Sequence, residues 1–321
     1  MTLQAAKTLV WDGAFMRPGG PSAALFSHDV AGFGPAPVPA MVGREVLDDA
    51  LLSPLRQAFP DAVHRPYVFL GGAWKGETWV AATGVISGVQ AAPLWGVKPG
   101  DAARTLRFGS FFKVVDGAVT ELRMLVDLPG LSAQAGIPLL PPFAGHPEPA
   151  PGPREVSGVM RDPQQADETA ATLDLVERML GGCNRLTGDD LASMGMAAFW
   201  DREMVWHGPW GIGSCYGFQA FQDHAQGPSV RSFPDRRGGF HQARIADGHA
   251  AAFTGWPSLR GSFTGAPFRG IAPTGGPISQ NIMDFYIRRG DRLYENWVMI
   301  DLVDFAAQCG QDLLAPLKTS A

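Results

Sequence analysis

The chain has 321 residues and a mass of 34.2 kDa, just beyond the size at which one hydrophobic core usually stops growing, so we expect two domains. Hydrophobic residues make up 45% and charged residues 18% of the chain, with a mean hydropathy near zero, which excludes a mainly disordered protein. The net charge of -5 lacks the basic excess that phosphate binding requires, so nucleic acid is not an expected partner.

The cysteines and the apolar runs limit the compartment. Cys183, Cys215 and Cys309 are far apart and have no histidine at metal-finger spacing, which predicts neither a disulfide framework nor a metal site. The sequence contains neither a run of 18 apolar residues nor a signal-peptide pattern at its start. We therefore expect a cytoplasmic protein that does not associate with membranes.

An internal repeat spans most of the chain. Residues 34–136 align without a gap onto residues 208–310, at an offset of 174, and nineteen of the 103 aligned positions are identical. The identical pairs include Gly34-Pro35 with Gly208-Pro209, Phe59-Pro60-Asp61 with Phe233-Pro234-Asp235, and Asp127-Leu128 with Asp301-Leu302. The repeat predicts a tandem duplication in which each copy is large enough to hold its own core.

A segment rich in proline and glycine separates the two copies. Residues 141–158 have no periodic pattern, which is typical of an extended linker. We therefore predict a first domain over 1–140, a linker over 141–164 and a second domain over 165–321.

The second copy gives the clearer secondary structure. Helix-forming patterns come first and strand patterns follow, with the turn Arg289-Gly290-Asp291 between the last two strands. We expect helices over 167–180, 187–200 and about 217–231, a short strand at 204–206, and strands over about 239–247, 249–258, 278–289 and 292–301. This order predicts an α+β fold in which a curved antiparallel sheet wraps around helices and encloses a pocket.

Three stretches of the second copy carry a family resemblance. They are GAPFRGIAPTG over 265–275, MDFY over 283–286 and ENWVMID over 295–301, and the first copy keeps weaker versions of them. In order and spacing they resemble the SnoaL-like polyketide cyclases of the nuclear-transport-factor-2-like superfamily. The resemblance covers nearly the whole chain as two tandem copies.

The resemblance implies two cone-shaped α+β barrels, each with a mostly apolar cavity. Members of known activity close rings by intramolecular aldol condensation without metal or cofactor, with an aspartate as general acid/base and often a nearby histidine. Such domains commonly pair through their sheets, so we expect the two copies to form an intramolecular pseudo-dimer, and a homodimer of the whole chain is possible. Since one fold supports many functions, the activity must be argued from the site.

Asp284 is the first candidate for catalysis. It lies in the mostly apolar run 281–286, at the aspartate position of the resemblance, and the first copy has Ser110 there. A carboxyl group in an apolar pocket has a raised pKa, which suits it to moving a proton beside a carbonyl group. The alternative is a carboxylate that pairs with a buried arginine or amide, or that faces solvent on the other side of the strand.

His207 and Asp301 are the other catalytic candidates. His207 follows Trp206 on the strand that enters the pocket region, where it could orient Asp284 or be simply packed. Asp301 ends the last strand, but its repetition as Asp127 favours capping of the helix that starts at Leu302. At 262–264, where many relatives have a histidine, this chain has Ser-Phe-Thr, which puts the aspartate–histidine partnership in doubt.

Aromatic residues of the second copy are candidates to line a substrate pocket, although core packing explains most of them equally well. They are Trp206, Tyr216, Trp256, Phe263, Tyr286 and Trp297. From strand alternation we expect Trp297 rather than Asn296 to face the cavity, and Gln280 or Asn281 could donate to an oxyanion. His241 and His249 lack a third metal ligand, and Asp235-Arg236-Arg237 is interpreted as a solvated turn.

Two functional hypotheses remain from the sequence. The first is a cyclase or isomerase without cofactor that acts on a hydrophobic carbonyl compound through Asp284. The second is a module of the same fold that binds a hydrophobic small molecule without catalysis.

Overall fold

The computed structural model describes residues 1–16, 20–147 and 150–319, and the chain divides into two compact units. Unit 1 comprises Met1–Leu139, Glu155–Pro163 and Leu314–Ala321, and unit 2 comprises Leu140–Arg154 and Gln164–Leu313. None of the helices in these described ranges is long and apolar enough to cross a membrane.

Unit 1 combines one sheet with several helices. Its described strands are β1 (Phe26–Phe33), β2 (Met41–Val42), β3 (Val63–Trp74), β4 (Glu77–Val89), β5 (Ala103–Val115), β6 (Ala118–Val126) and β7 (Gly158–Val159). They form a seven-stranded sheet in the order β2-β1-β6-β5-β4-β3-β7. The long neighbours are antiparallel, while β1 runs parallel to β6 and β7 parallel to β3. Its helices are α1 (Leu3–Val10), α2 (Arg44–Leu47), α3 (Ser53–Ala58) and α4 (Leu128–Gln134).

Unit 2 repeats this plan after a longer first helix, α5 (Ala166–Cys183). Its described strands are β8 (Trp200–His207), β9 (Ser214–Tyr216), β10 (Arg237–Gly238), β11 (Ala243–Asp247), β12 (Ala250–Ser262), β13 (Pro277–Arg289) and β14 (Arg292–Ile300). The order is β10-β12-β13-β14-β8-β9, with β11 also paired to β12, and β8 runs parallel to β14. The other helices are α6 (Phe218–Phe221), α7 (Gly227–Ser232) and α8 (Leu302–Gln308), while α9 (Ala315–Thr319) lies in unit 1.

The two units share the 174-residue offset element by element. Six pairs of the labelled strands and helices have bounds that differ by this number: β1 and β8, α2 and α6, α3 and α7, β5 and β13, β6 and β14, and α4 and α8. The match extends to side chains. Gln134 forms hydrogen bonds with the backbone of Thr105, and Gln308 forms the same hydrogen bonds with the backbone of Ser279. The predicted α+β class and the duplication are confirmed, while the pairing of the copies as a pseudo-dimer remains a prediction.

A widened helical turn recurs at the same place in both units. The π-helical segments Asp48–Leu52 and Gln222–Gln226 lie directly before α3 and α7, whose early positions hold Pro54 and Pro228. Proline cannot donate a hydrogen bond and its ring clashes with the preceding turn, so the helix widens there. In unit 2 this turn brings Ala225 and Gln226 to the wall of the cavity described below.

One predicted helix of unit 2 is wrong. Residues 187–200 form two short 3-10 turns, Leu191–Met194 and Met196–Ala198, instead of an α-helix. Between them Gly195 adopts a left-handed conformation with φ of 64°, which interrupts regular helical hydrogen bonding. Met194 and Met196 nevertheless point into the core, which explains the helix-like spacing of apolar residues.

The hydrophobic core of unit 2 lies between α5 and the sheet. Leu175, Val176 and Met179 of α5 are buried, and α5 packs against β11, β12 and β14. The rings of Phe233, Phe263, Phe268 and Phe305 form a second part of this core. The cavity lies among these elements.

Candidate functional site

Unit 2 contains a cavity of about 190 Å³ whose wall is mainly apolar. Helix α5, the π-helical turn and strands β8, β12, β13 and β14 all contribute to this wall. The cavity of unit 1 that Ser110 and Phe112 line, at the positions of Asp284 and Tyr286, is only about 20 Å³. Phe15, Phe108 and Met124 line this smaller cavity, so among the described residues the second copy has more room for a ligand at this position.

Strand β13 places Asp284 on the wall of the cavity. Because side chains alternate along a strand, Gln280, Ile282, Asp284 and Tyr286 line the cavity, while Phe285 points to the other face. Asp284 is 8% exposed and lies opposite Phe253 of β12 and Val298 of β14. Its carboxyl group is the only one among the described residues that line this cavity.

Two donors hold one oxygen of this carboxyl group. The phenol of Tyr286 donates to Asp284 Oδ1 at 3.1 Å, and Asn296 Nδ2 donates to the same oxygen at 3.2 Å. Asn296 also donates to the backbone oxygen of Phe285 at 3.1 Å, which fixes its amide. Asp284 Oδ2 has no hydrogen-bond partner among the described residues, so it is the oxygen that can carry or take up a proton.

Burial sets the protonation of Asp284. Desolvation raises its pKa from 3.8 to about 7, while the hydrogen bonds from Asn296 and Tyr286 act in the opposite direction. Burial also raises the pKa of Tyr286 well above 10, and the neighbouring Asp284 adds to this effect. The phenol therefore stays protonated as a donor, whereas Asp284 exchanges its proton near neutral pH.

Asn296 faces the cavity because the side chains of β14 alternate in the opposite way from the one expected. Residues directly opposite each other in a sheet share a face, and Asn296 lies opposite Tyr286. Trp297 therefore points away from the cavity, where its indole Nε1 donates to the backbone oxygen of Pro151 at 2.9 Å. The expectation that Trp297 and not Asn296 would face the cavity is wrong.

His241 is a cavity residue that the sequence did not indicate. It is 8% exposed, lines the cavity and stacks on Phe253 at 4.0 Å between ring centroids. Burial, aided by the charge of Arg244, lowers its pKa to about 3. Arg244 Nε donates to His241 Nδ1 at 3.2 Å, so the neutral ring carries its proton on Nε2 and can donate it to a ligand.

His207 does not line the cavity. Its ring stacks on Trp297 at 5.2 Å and its Nδ1 lies 3.0 Å from Ser214 Oγ, on the opposite face of the sheet from Trp206. In unit 1 the equivalent pair is Phe33 with Arg123, also stacked. The repeat of this stacked pair favours the packing interpretation of His207.

Asp301 likewise has a structural contact outside the cavity. Its side chain accepts a hydrogen bond from the backbone N–H of Asp304 at 3.0 Å, and Asp127 accepts one from Gly130 at 3.0 Å. Both aspartates are N-caps, so the capping role that the repeat predicted is confirmed.

The six aromatic candidates separate into two sets. Trp206 and Tyr286 line the cavity. Phe263 is fully buried against Phe233 and Phe305, Tyr216 is 41% exposed, and neither Trp256 nor Trp297 is part of the wall. Of the two expected oxyanion donors, Gln280 lines the cavity and Asn281 does not.

Arg236 also lines the cavity, which corrects the interpretation of Asp235-Arg236-Arg237 as a solvated turn. Asp235 accepts hydrogen bonds from Ser262 and is exposed, as expected for a turn. Arg236 instead is partly buried, and its Nη1 donates to Ser229 Oγ of α7 at 2.7 Å. Within the described residues, no group of three or more His, Cys, Asp and Glu side chains could hold a metal ion.

Comparisons with known proteins give matches among solved structures alone. No protein-family model matches the sequence, and no curated protein matches it. The chain is similar to AclR from Streptomyces galilaeus, a proposed hydroxylase, with 18% identity over 44% of this chain and 86% of that one, at a TM-score of 0.36. It is also similar to IdmH from Streptomyces antibioticus, a proposed polyketide cyclase, with 21% identity over 43% and 97% of the chains and a TM-score of 0.34.

A third similar structure is a proposed SnoaL-like polyketide cyclase from a Jannaschia species. It shares 20% identity over 40% of this chain and 92% of that one, at a TM-score of 0.33. Each of these three matches covers less than half of this chain.

Proposed function

We propose that unit 2 is an acid/base catalyst that needs no cofactor and acts on a hydrophobic carbonyl compound, by aldol cyclisation or isomerisation. The observation that carries this proposal is the buried Asp284, whose pKa of about 7 leaves both protonation states populated at neutral pH. A general acid/base is most effective when its pKa lies near the working pH. Ketosteroid isomerase, which also moves a proton beside a carbonyl group with an aspartate, is a known precedent for this chemistry.

The proton would be taken up at Oδ2 of Asp284. In its ionised state Asp284 breaks a C–H bond beside a ketone, the proton passes to Oδ2, and the electron pair forms an enolate. Tyr286 and Asn296 keep Oδ1 in place during this transfer, because both donate to it before and after the proton moves. In cyclisation the enolate carbon forms a C–C bond to a second carbonyl of the same molecule, and Oδ2–H protonates the alkoxide; in isomerisation Oδ2–H returns the proton to another carbon.

The enolate oxygen needs a donor that does not lose its own proton. Neutral His241, with its proton on Nε2, supplies one, and the contact from Arg244 to Nδ1 prevents the opposite tautomer. Trp200 is a second candidate, since it lines the cavity and its buried indole N–H has no acceptor among the described residues. Buried donors of this kind stabilise a developing negative charge more strongly than donors in water do.

The test is deuterium exchange at the carbon beside a ketone, with 2-tetralone as a flat hydrophobic probe and proton NMR in D₂O as the measurement. We expect the wild type to accelerate exchange over buffer and Asp284→Asn to lose 10²- to 10⁴-fold of this rate. Asp291→Asn makes the same chemical change at an exposed turn and serves as the matched control.

Binding separates the two functional hypotheses. Tryptophan fluorescence should show that Asp284→Asn still binds 2-tetralone, because asparagine keeps an Oδ1 that can accept both hydrogen bonds. A wild type that binds the ketone without accelerating exchange would contradict catalysis and leave a small-molecule-binding module as the function.

A further inference from the structure

The cavity has a positive charge as well as an acid. Arg236 lines it, and its Nη1 donates to Ser229 Oγ at 2.7 Å. Among the described residues no carboxylate pairs with this guanidinium group. Arg236 is partly buried, and withdrawing a cation from water without an opposite charge is unfavourable, so the position favours an anionic ligand.

The backbone of Arg236 lies far from Asp284 along the sheet. Arg237 pairs with Arg260 of β12, and Arg260 pairs with Ser279 of β13. Ser279 is five residues before Asp284, which corresponds to about 16 Å at about 3.3 Å per residue. The backbone of Arg236 therefore lies near the start of β13, whereas Asp284 lies near its middle.

A second donor lies at the Arg236 end. Gln280 is 3% exposed, lines the cavity and lies opposite Leu259, which pairs with Gly238 two residues after Arg236. Its buried Nε2 has no acceptor among the described residues. This amide is a separate observation that points to an acceptor on the ligand, because buried amide groups are rarely left without a partner.

The wall between the two ends is apolar. Leu259 and Ile282 lie on it, as do Leu180, Phe268 and Ile300. A ligand that satisfies both ends would have a hydrophobic body, oxygen atoms with negative charge at one end and a reacting group at the other. A carboxylate matches a guanidinium group best, since its two oxygens can accept two parallel hydrogen bonds.

We propose that Arg236, with Gln280 as a second donor, binds a carboxylate of the ligand, and that the substrate is therefore a hydrophobic keto acid. The carboxylate lies at the Arg236 end and the ketone at the Asp284 end. The position of the ketone rests on the proposed function, whereas the binding of the carboxylate does not.

The experiment compares acids with their neutral methyl esters. The probes are ω-oxo-ω-phenylalkanoates with chains of six to ten carbons and the corresponding methyl esters, and binding is measured by calorimetry on the full chain. We expect the wild type to bind the best acid at least tenfold more tightly than its ester. Arg236→Gln should lose this preference while binding the ester within about twofold of the wild type, which also shows that the cavity is intact.

Two further variants complete the test. Arg237→Gln removes the same charge from the exposed neighbouring residue and should leave the preference for the acid unchanged. Arg236→Lys should keep part of the preference, because lysine retains the charge but not the two-pronged geometry. If Arg236→Gln does not fold, Arg236→Lys provides the test. A lysine variant that binds the acid as tightly as the wild type, with the same preference for the acid over its ester, would contradict the bidentate contact.

The outcomes separate this inference from the proposed function. Equal affinity of acid and ester for the wild type, or no measurable binding of any acid in the series, overturns the carboxylate site. Preferential binding of the acid that depends on Arg236, without deuterium exchange at the ketone, supports the carboxylate site and contradicts the catalytic role of Asp284.

Discussion

The phenol of Tyr286 donates a hydrogen bond to Oδ1 of Asp284, the residue two positions before it on the same face of β13, at 3.1 Å. A donor two residues along a strand lies on the same side of the sheet as its acceptor, so the contact follows from strand geometry. One of the two hydrogen-bond donors to Asp284 therefore lies in the same short stretch of sequence as Asp284 itself. Asn296 supplies the other from the neighbouring strand.

Removing the phenol should make Asp284 harder to ionise. A hydrogen bond to the carboxylate favours the charged form, so Tyr286→Phe should raise the pKa of Asp284 further. If ionised Asp284 is the base, the rise of the exchange rate with pH should move to higher pH while the plateau rate is largely kept. The pH profile of exchange measures this shift.

Tyr294→Phe is the matched control for this variant, because Tyr294 is buried on β14 without lining the cavity. Its pH profile should coincide with that of the wild type. A profile of Tyr286→Phe that moves to lower pH would contradict the assignment of Asp284 as the base.

Asp284→Asn should change how stability depends on pH. The folded state holds the proton of Asp284 more tightly than the unfolded state does, because the pKa is raised from 3.8 to about 7. The free energy of unfolding of the wild type therefore falls as pH rises from about 4 to about 7 and levels off above that. Asparagine does not titrate, so the free energy of unfolding of the variant should rise relative to that of the wild type by about 4 kcal/mol over this range.

Urea unfolding followed by tryptophan fluorescence, at intervals from pH 4 to pH 8, measures this difference. Asp291→Asn, at the exposed hairpin turn, should keep the pH dependence of the wild type. A difference between Asp284→Asn and the wild type that does not change with pH would show that Asp284 is not held in a desolvated site.

Much of the fold follows from the sequence, because the repeat fixes equivalent positions in two separate stretches. Glycine, proline and capping residues recur at the 174-residue offset, and the elements that they bound recur with them. Asp284 could be found because an ionisable residue in an apolar strand is conspicuous, and because Ser110 replaces it in the first copy. The helix expected over 187–200 failed since apolar spacing alone does not show that Gly195 interrupts it.

The rest of the site depends on contacts between distant segments. Alternation along β14 predicts two faces but not which of them meets the cavity, and only the register between Asn296 and Tyr286 decides this. His241 lies before β11 in a segment without periodicity, so its stacking on Phe253 left no pattern to detect. Arg236 follows a Phe-Pro-Asp turn that is typical of a solvated segment, and its inward direction is visible only in the folded chain, where it contacts Ser229 of α7.

His241 and His207 can be distinguished by one substitution each. His241→Phe keeps an aromatic ring against Phe253 but removes the Nε2 donor, so the exchange rate should fall by 10²-fold or more. His207→Phe installs the residue that unit 1 has at the equivalent position, Phe33, and should leave the rate unchanged. Thermal unfolding of both variants shows whether either loss results from unfolding, and loss of exchange in His207→Phe alone would favour the assignment made from the sequence.

Asp301 offers a test in which capping and catalysis give opposite results. Asparagine caps a helix about as well as aspartate does, whereas alanine cannot accept a hydrogen bond from the N–H of Asp304. Asp301→Ala should therefore lose about 1 kcal/mol of stability, and Asp301→Asn almost none. Asp127→Ala should lose at least as much for α4 of unit 1, because Asp127 also interacts with the buried Arg107. An acid/base role would instead require Asp301→Asn to lose exchange activity at full stability, so measuring urea unfolding and deuterium exchange on the same samples decides between the two roles.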